Sequence, residues 1–137
     1  KAVVIRGLPE ETVVPVSQKT GVEILNHLPA TALEKCLLQS KLIIARSGYS
    51  TIMDMVKLQK KSVLIPTPGQ TEQEYLAAYL QNKKIFYSVG QQGFSLEEVL
   101  KNVQRFPFSS FNTTDGAANE TIKNFAEMLF MAKGQGI

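Results

Sequence analysis

The sequence predicts an α/β fold in which helices flank an open, largely parallel sheet. Short apolar runs alternate along the chain with segments of helical periodicity, which is the pattern of a parallel α/β domain. The run at 42–45 is apolar throughout, as expected of a central strand covered on both faces. Hydrophobic residues make up 44% of the 137 residues and charged residues 20%, so one globular domain over 1–137 is predicted.

The first third of the chain reads as three strands around one helix. In chain order, the predicted elements are strand 2–6, loop 10–21 with some extended structure at 13–14, strand 22–25, helix 30–39 and strand 42–45. Gly7-Leu8-Pro9 ends the first strand, because proline cannot donate to a ladder and glycine favours a turn. Leu33 and Leu37 supply the apolar face of the helix at a spacing of four residues.

The rest of the chain continues the alternation. In chain order, the predicted elements are a helix to about Leu58, strand 62–65, helix 71–81, strand 85–87, helix 95–104, loop 106–116 and helix 118–133. Ser50 or Thr51 is the predicted cap of the first of these helices. Thr71 and Ser95 each precede a glutamate by three residues, so each predicts a capping box.

Charge and cysteine usage narrow the class of protein. The net charge of +3 comes from lysines scattered among acids, so no basic stripe for nucleic acid is present. A mildly positive net charge is still compatible with a phosphate-bearing ligand or with peripheral contact at an anionic membrane. Cys36 is the single cysteine, which rules out an internal disulfide and favours a cytoplasmic location. No apolar run reaches about 18 residues. Because the chain starts at Lys1 without Met, an excised part of a larger protein is expected.

The junction at 45–54 is the first candidate for binding chemistry. Small residues around Gly48 lead from a strand into a helix N-terminus, whose free N–H groups and positive dipole end suit a diphosphate. Ser47, Ser50 and Thr51 add hydroxyl donors, and Asp54 falls on the same helix face, where a carboxylate can accept from both ribose hydroxyls. An ordinary capped helix with an acid in its first turns explains the same spacing equally well.

Two further features are weaker. Pro66-Thr67-Pro68-Gly69 stiffens the next junction, and Gln70, Glu72 and Gln73 follow it with groups that hydrogen-bond sugar hydroxyls, although an ordinary helix start is the simpler interpretation. His27 is the single histidine, and a lone histidine after a strand is more often structural. No cluster of metal ligands is visible, so no metal site is predicted.

Taken in order, these segments resemble the C-terminal, Rossmann-like domain of GT-B glycosyltransferases. The resemblance is strongest to the family 28 branch that includes the N-acetylglucosaminyltransferase of peptidoglycan lipid II synthesis. It covers residues 22 to 105, and the segments that carry it are 42–54, 63–66 and 72–75.

The resemblance implies a role for each matching position. The residues that would line the diphosphate and sugar are Arg46, Ser47, Gly48, Tyr49, Ser50 and Thr51. Asp54 would hold the ribose where the family usually has Glu, the backbone from Leu25 to His27 would read the uracil, and Gln73 would contact the donor sugar. UDP-N-acetylglucosamine is the leading candidate donor, bound as a substrate without any cofactor.

The chain departs from the family at four points. Glu74 replaces the second of two paired glutamines, Ala77 replaces an asparagine, and Tyr49 replaces a small residue. The family's first C-domain strand, its Gly-Gly-Ser loop and its acceptor-binding N-terminal domain are also missing here. We therefore expect a fragment that is inactive alone, with the general base and the acceptor on another domain or a partner subunit.

Two other functions use the same scaffold. A UDP-sugar 2-epimerase would need acids and a histidine across a cleft, and the region of Gln73 favours transfer over that reaction. A non-catalytic subunit that docks on a membrane-bound acceptor-binding partner is the other alternative, and the missing Met argues against it.

Overall fold

The computed structural model describes residues 1–109, together with the helical positions Glu120, Asn124 and Glu127. The chain folds as two units, Lys1–Ser40 and Lys41–Ile137. Every strand pairing is parallel and helices alternate with strands, which confirms the predicted α/β class. The predicted helix at 118–133 otherwise lies outside the described residues, as does loop 106–116 beyond position 109. The assignment of 1–137 to a single domain stays a prediction.

The first unit is a two-stranded parallel sheet followed by a helix. Its elements are β1 (Ala2–Ile5), β2 (Val22–Leu25) and α1 (Ala30–Gln39). The strands pair from Ala2 with Val22 to Ile5 with Leu25. The connection between them is held by Asn26, which is only 7% exposed and donates to the carbonyls of Glu11 and Val13 at 2.7 and 3.0 Å. Residues 13–14 therefore lie in a tethered loop and form no strand.

The second unit is a three-stranded parallel sheet with helices between the strands. Its elements are β3 (Ile43–Ala45), α2 (Tyr49–Lys57), β4 (Ser62–Leu64), α3 (Thr71–Asn82), β5 (Tyr87–Ser88) and α4 (Leu96–Arg105). The order in the sheet is β3-β4-β5. Because all three strands are parallel, their carboxyl ends meet at one edge, which is where ligands bind in open α/β sheets.

The core of the second unit surrounds β4, whose residues are all buried. Helices α2, α3 and α4 and the turn before β5 supply most of the other buried apolar side chains, among them Ile52, Met55, Val56, Leu76, Leu80, Phe86, Val99 and Val103. The expectation of a central, doubly covered strand at 42–45 is wrong for this sheet. β3 is an outer strand of the three, and its Ile44 is 37% exposed.

The helix caps correct two predictions and confirm one. α2 begins at Tyr49 with Gly48 as its N-cap, so neither Ser50 nor Thr51 caps it. α3 has Gln70 at its N-cap with no side-chain hydrogen bond, so the capping box predicted at Thr71 is absent. Ser95 does cap α4, accepting from the Glu98 amide at 3.4 Å. The last strand is Tyr87–Ser88, two residues later than the predicted start, because Ile85 and Phe86 lie buried in the preceding turn.

Candidate functional site

The candidate site is built from two loops at the carboxyl edge of the three-stranded sheet. Residues 46–48 join β3 to α2, and residues 65–70 join β4 to α3. The pairing of the two strands continues into the second loop, where the Ile65 amide donates to the Ala45 carbonyl at 2.9 Å. The loops therefore leave the sheet side by side.

The N-terminus of α2 has free backbone donors. Gly48 is the N-cap, no side chain caps the helix, and the first intrahelical bond runs from the Ile52 amide to the Gly48 carbonyl at 3.0 Å. The amides of residues 49–51 therefore have no partner within the helix. Free N–H groups at the positive end of a helix dipole are suited to an anion such as phosphate.

Gly48 is not required by the fold itself. Its φ of −71° and ψ of 145° are angles that any residue adopts. A Cβ added at this position would have the Thr51 hydroxyl oxygen as its nearest contact, at 4.0 Å, which is ordinary van der Waals distance. Neither backbone strain nor crowding therefore explains why this residue is a glycine. The lack of a side chain does leave the helix end open to a ligand.

The Ser47 hydroxyl, which the sequence predicts to be a ligand donor, is bonded within the protein in this structure. Ser47 is 0% exposed, and its Oγ donates to the Gln73 carbonyl at 2.8 Å. A hydroxyl has one proton, so this bond uses the donor that was expected to face a diphosphate. The side chain instead ties the first loop to the first turn of α3. Ser50 is exposed and Thr51 half-buried, and the structure shows no bond from either hydroxyl within 1–109.

Arg46 links the two loops from the solvent side. Its exposed guanidinium donates through Nη1 to the carbonyls of Ile65 and Pro66, at 3.3 and 3.4 Å. These bonds hold a positive charge at the sheet edge while leaving its other N–H groups without a partner among the described residues. A tethered guanidinium with spare donors is suited to a phosphate oxygen.

Asp54 and Tyr49 are the accessible side chains of α2 near this end. Asp54 is exposed, and its carboxylate makes no hydrogen bond or ion pair with the residues that the structure describes. It lies four residues after Ser50, on the same face of the helix. Tyr49 opens the helix and is 37% exposed. Both positions are free to meet a ligand, and their roles in binding stay predictions.

The second loop is braced by side chains from α3. Gln73 accepts from the Thr67 amide through Oε1 at 3.0 Å and donates through Nε2 to Gln70 Oε1 at 2.7 Å. Glu74 accepts from the amide of Gly69, a residue with a φ of +81°. Both ends of the Gln73 amide are thus occupied inside the loop. Gln70 is exposed and Glu72 half-buried, and their contacts with a donor stay predictions.

His27 lies in the first unit. It is exposed and directly follows Asn26, at the end of β2. Sequence reasoning missed Asn26, which also accepts from Arg6 Nη1 at 2.8 Å and organises the loop before it. An asparagine immediately after a strand was the one available signal, since such residues often bond to nearby backbone. A role for His27 in base recognition stays a prediction.

Across positions 1–109 no group of three or more His, Cys, Asp or Glu side chains lies together as metal ligands would. None of the helices described is long and apolar enough to cross a membrane.

Comparison with known families decides the broad identity. Residues 6–129 match the glycosyltransferase family 28 C-terminal domain. The chain belongs to this family. The match extends beyond the 22–105 segment of the expected resemblance and identifies the chain as a donor-binding part of a glycosyltransferase. No curated protein and no solved structure matches the chain.

Proposed function

We propose that this family 28 domain binds a UDP-sugar and presents it for transfer of the sugar, with N-acetylglucosamine as the leading candidate. The observation that carries the proposal is the uncapped N-terminus of α2 at Gly48, beside the tethered guanidinium of Arg46. Together they offer backbone donors and a positive charge at the edge of a parallel sheet. A nucleoside diphosphate needs both.

The same groups would assist the reaction. As the glycosidic bond breaks, the diphosphate leaving group gains negative charge. The amides of residues 49–51 and the Arg46 guanidinium are already oriented, so they stabilise that charge without reorganisation. Removing one such donor from an enzyme typically lowers kcat by about 10²–10³-fold. The chemistry proposed here requires no metal and no cofactor.

Asp54 is the proposed ribose ligand. A carboxylate can accept from both ribose hydroxyls, and this one has no competing partner within the described chain. Tyr49, Ser50 and Thr51 would line the diphosphate with the backbone, and Gln70, Glu72 and Gln73 would border the sugar. His27 is proposed separately, because it belongs to the other unit.

The acceptor and the general base are proposed to lie on a domain or partner subunit outside this chain. The domain by itself would then bind its donor and transfer nothing. Membership of the lipid II N-acetylglucosaminyltransferase branch is proposed from the resemblance, with Glu74 and Ala77 as departures beside the sugar. The reaction is proposed to occur in the cytoplasm, with peripheral contact at the inner face of the membrane.

A binding experiment tests the donor site. The intact protein is titrated calorimetrically with UDP, UDP-N-acetylglucosamine, ADP and GDP. Asp54→Ala should weaken uridine nucleotides about 10- to 100-fold, because it removes hydrogen bonds to a charged group. Glu34→Ala is the matched control, since Glu34 is also an exposed helical acid but lies on α1.

Two results would overturn the proposal. One is binding of uridine nucleotides no tighter than that of ADP and GDP. The other is an Asp54→Ala variant that binds like Glu34→Ala. Conversion of one UDP-sugar into its 2-epimer by the intact protein, without transfer, would assign the site to an epimerase. Turnover only in complex with a membrane-bound partner would assign it to a subunit of a split enzyme.

A further inference from the structure

We infer that Gln70 reads the donor sugar, and that Gln73 acts as a positioning residue that fixes which end of the Gln70 amide faces the ligand. This inference rests on the proposed function, because it concerns the sugar end of the same site. It differs from the expectation that Gln73 itself contacts the sugar. The reason is a chain of hydrogen bonds whose direction is set at one end by the backbone.

The chain begins at the Thr67 amide, which can only donate. It lies 3.0 Å from the Gln73 side chain, so Gln73 must present its oxygen there. The nitrogen of the Gln73 amide then faces Gln70 and donates to its Oε1 at 2.7 Å. Gln70 must in turn present its oxygen to Gln73, and its own nitrogen is left on the opposite side. Neither amide can flip without placing two like groups together.

The outward nitrogen of Gln70 is available for a ligand. Gln70 is exposed, and its Nε2 makes no hydrogen bond with the residues that the structure describes. The first loop lies next to the loop that carries Gln70, because Ser47 bonds to the Gln73 carbonyl at 2.8 Å and Arg46 reaches the Pro66 carbonyl at 3.4 Å. A pair of N–H donors thus stands beside the proposed diphosphate site, where the sugar of a bound donor would lie.

The fixed direction selects a chemical class of sugar. A hydroxyl can donate or accept, so it would bond equally well to either end of an amide. A group that only accepts gains from a nitrogen and is repelled by an oxygen. On a donor sugar such a group is the carbonyl of an acetamido substituent or a carboxylate. The geometry therefore favours sugars that carry one of these over sugars that carry hydroxyls alone.

Gln70→Glu tests this directly in the intact protein. Glutamate keeps the length of the side chain and still accepts from Gln73 Nε2, but it replaces the outward nitrogen with oxygen. The probes are UDP-N-acetylglucosamine, UDP-glucuronic acid and UDP-glucose, which share the UDP and differ in the sugar. The wild type should bind one of the first two more tightly than UDP-glucose. In the variant, the ratio of that affinity to the affinity for UDP-glucose should fall about tenfold. The change in UDP-glucose affinity itself measures any general effect of the added charge.

Gln73→Glu tests the positioning role without altering Gln70. The new carboxylate still accepts from the Thr67 amide, but it can no longer donate to Gln70. Gln70 should therefore flip to donate inward and present its oxygen to the sugar, and the same preference should be lost. A structural role alone would lower stability and affect all three probes equally.

Gln81→Glu is the control. Gln81 accepts from the Ser88 amide through Oε1 at 2.6 Å at the other end of α3, and glutamate retains that acceptor, so the preference should persist. The inference is overturned by a wild type that binds UDP-glucose as tightly as the other two, or by a Gln70→Glu variant that keeps the preference. If the wild type binds no uridine nucleotide, the proposed function fails as well. If it binds UDP and only the sugar preference is unchanged by Gln70→Glu, this inference alone fails.

Discussion

Replacing Gly48 with aspartate should change protein stability and UDP affinity in opposite directions. Gly48 is the N-cap of α2, its backbone angles suit any residue, and a Cβ there meets nothing closer than 4.0 Å. Aspartate is among the best N-cap residues and its charge complements the helix dipole. Gly48→Asp should therefore leave the protein as stable as before, or more stable by about 0.5–1 kcal/mol.

The effect on binding should have the opposite sign. The aspartate would bond to the first-turn amides that are proposed to hold the diphosphate. It would also place a negative charge beside the phosphates. At a separation of about 5 Å, each pair of unit charges costs about 1 to 3 kcal/mol, depending on the effective dielectric constant. UDP should therefore bind about 5- to 150-fold more weakly.

The assay combines urea denaturation with calorimetric titration of UDP. Asn102→Asp is the matched control, because it adds one negative charge at an exposed position within α4. Its affinity for UDP should stay within about twofold of the wild type, since a distant exposed charge is screened by salt. If Gly48→Asp is stable and binds UDP as well as Asn102→Asp does, the helix end is not the diphosphate site.

Two further variants test how the loops are held. Ser47→Ala should lower the free energy of unfolding by about 1 kcal/mol and also weaken UDP binding. Ser62→Ala removes another buried, hydrogen-bonded hydroxyl and should lower stability without changing UDP binding. With stability measured by urea denaturation, equal UDP affinities of the two variants would refute a link between the Ser47 bond and the binding site. Asn26→Ala should free the loop before β2, so that a glutamate-specific protease cuts after Glu10 and Glu11 faster than in the wild type. Asn82→Ala, at an exposed helix end, should not change that rate, and an unchanged rate in Asn26→Ala would contradict the tether.

Local pattern was enough to predict most of the fold. The alternation of apolar runs and helical periods predicted nine elements of the described chain, from β1 to α4, with bounds close to those observed. The position of Gly48 between a strand and a helix marked the turn that leads into α2. The serine at 95, with a glutamate three residues later, predicted a cap that the structure shows. These features depend on neighbours in sequence, so the chain alone specifies them.

The central strand and the direction of the polar side chains were decided by tertiary structure. Both 42–45 and 63–65 are apolar runs, and only the pairing order makes β4 the covered strand. Ser47 was predicted to face the ligand from its position beside Gly48, and Gln73 from the family resemblance. In the fold the Ser47 hydroxyl bonds across to the Gln73 carbonyl, 26 residues away, and the Gln73 side chain bonds to the Thr67 amide in the loop before its own helix.

The physical reason is the cost of burying an unpaired polar group. Once β3 and β4 pair, the Ser47 hydroxyl is enclosed and must find an acceptor, and the carbonyl of Gln73 is within reach. The loop amide of Thr67 likewise needs an acceptor, and Gln73 supplies it. Sequence by itself thus predicted where a nucleotide-sugar site would lie, and determined the strand and helix ends that form this edge. Which groups remain free to contact the ligand depended on the partners that long-range packing provides.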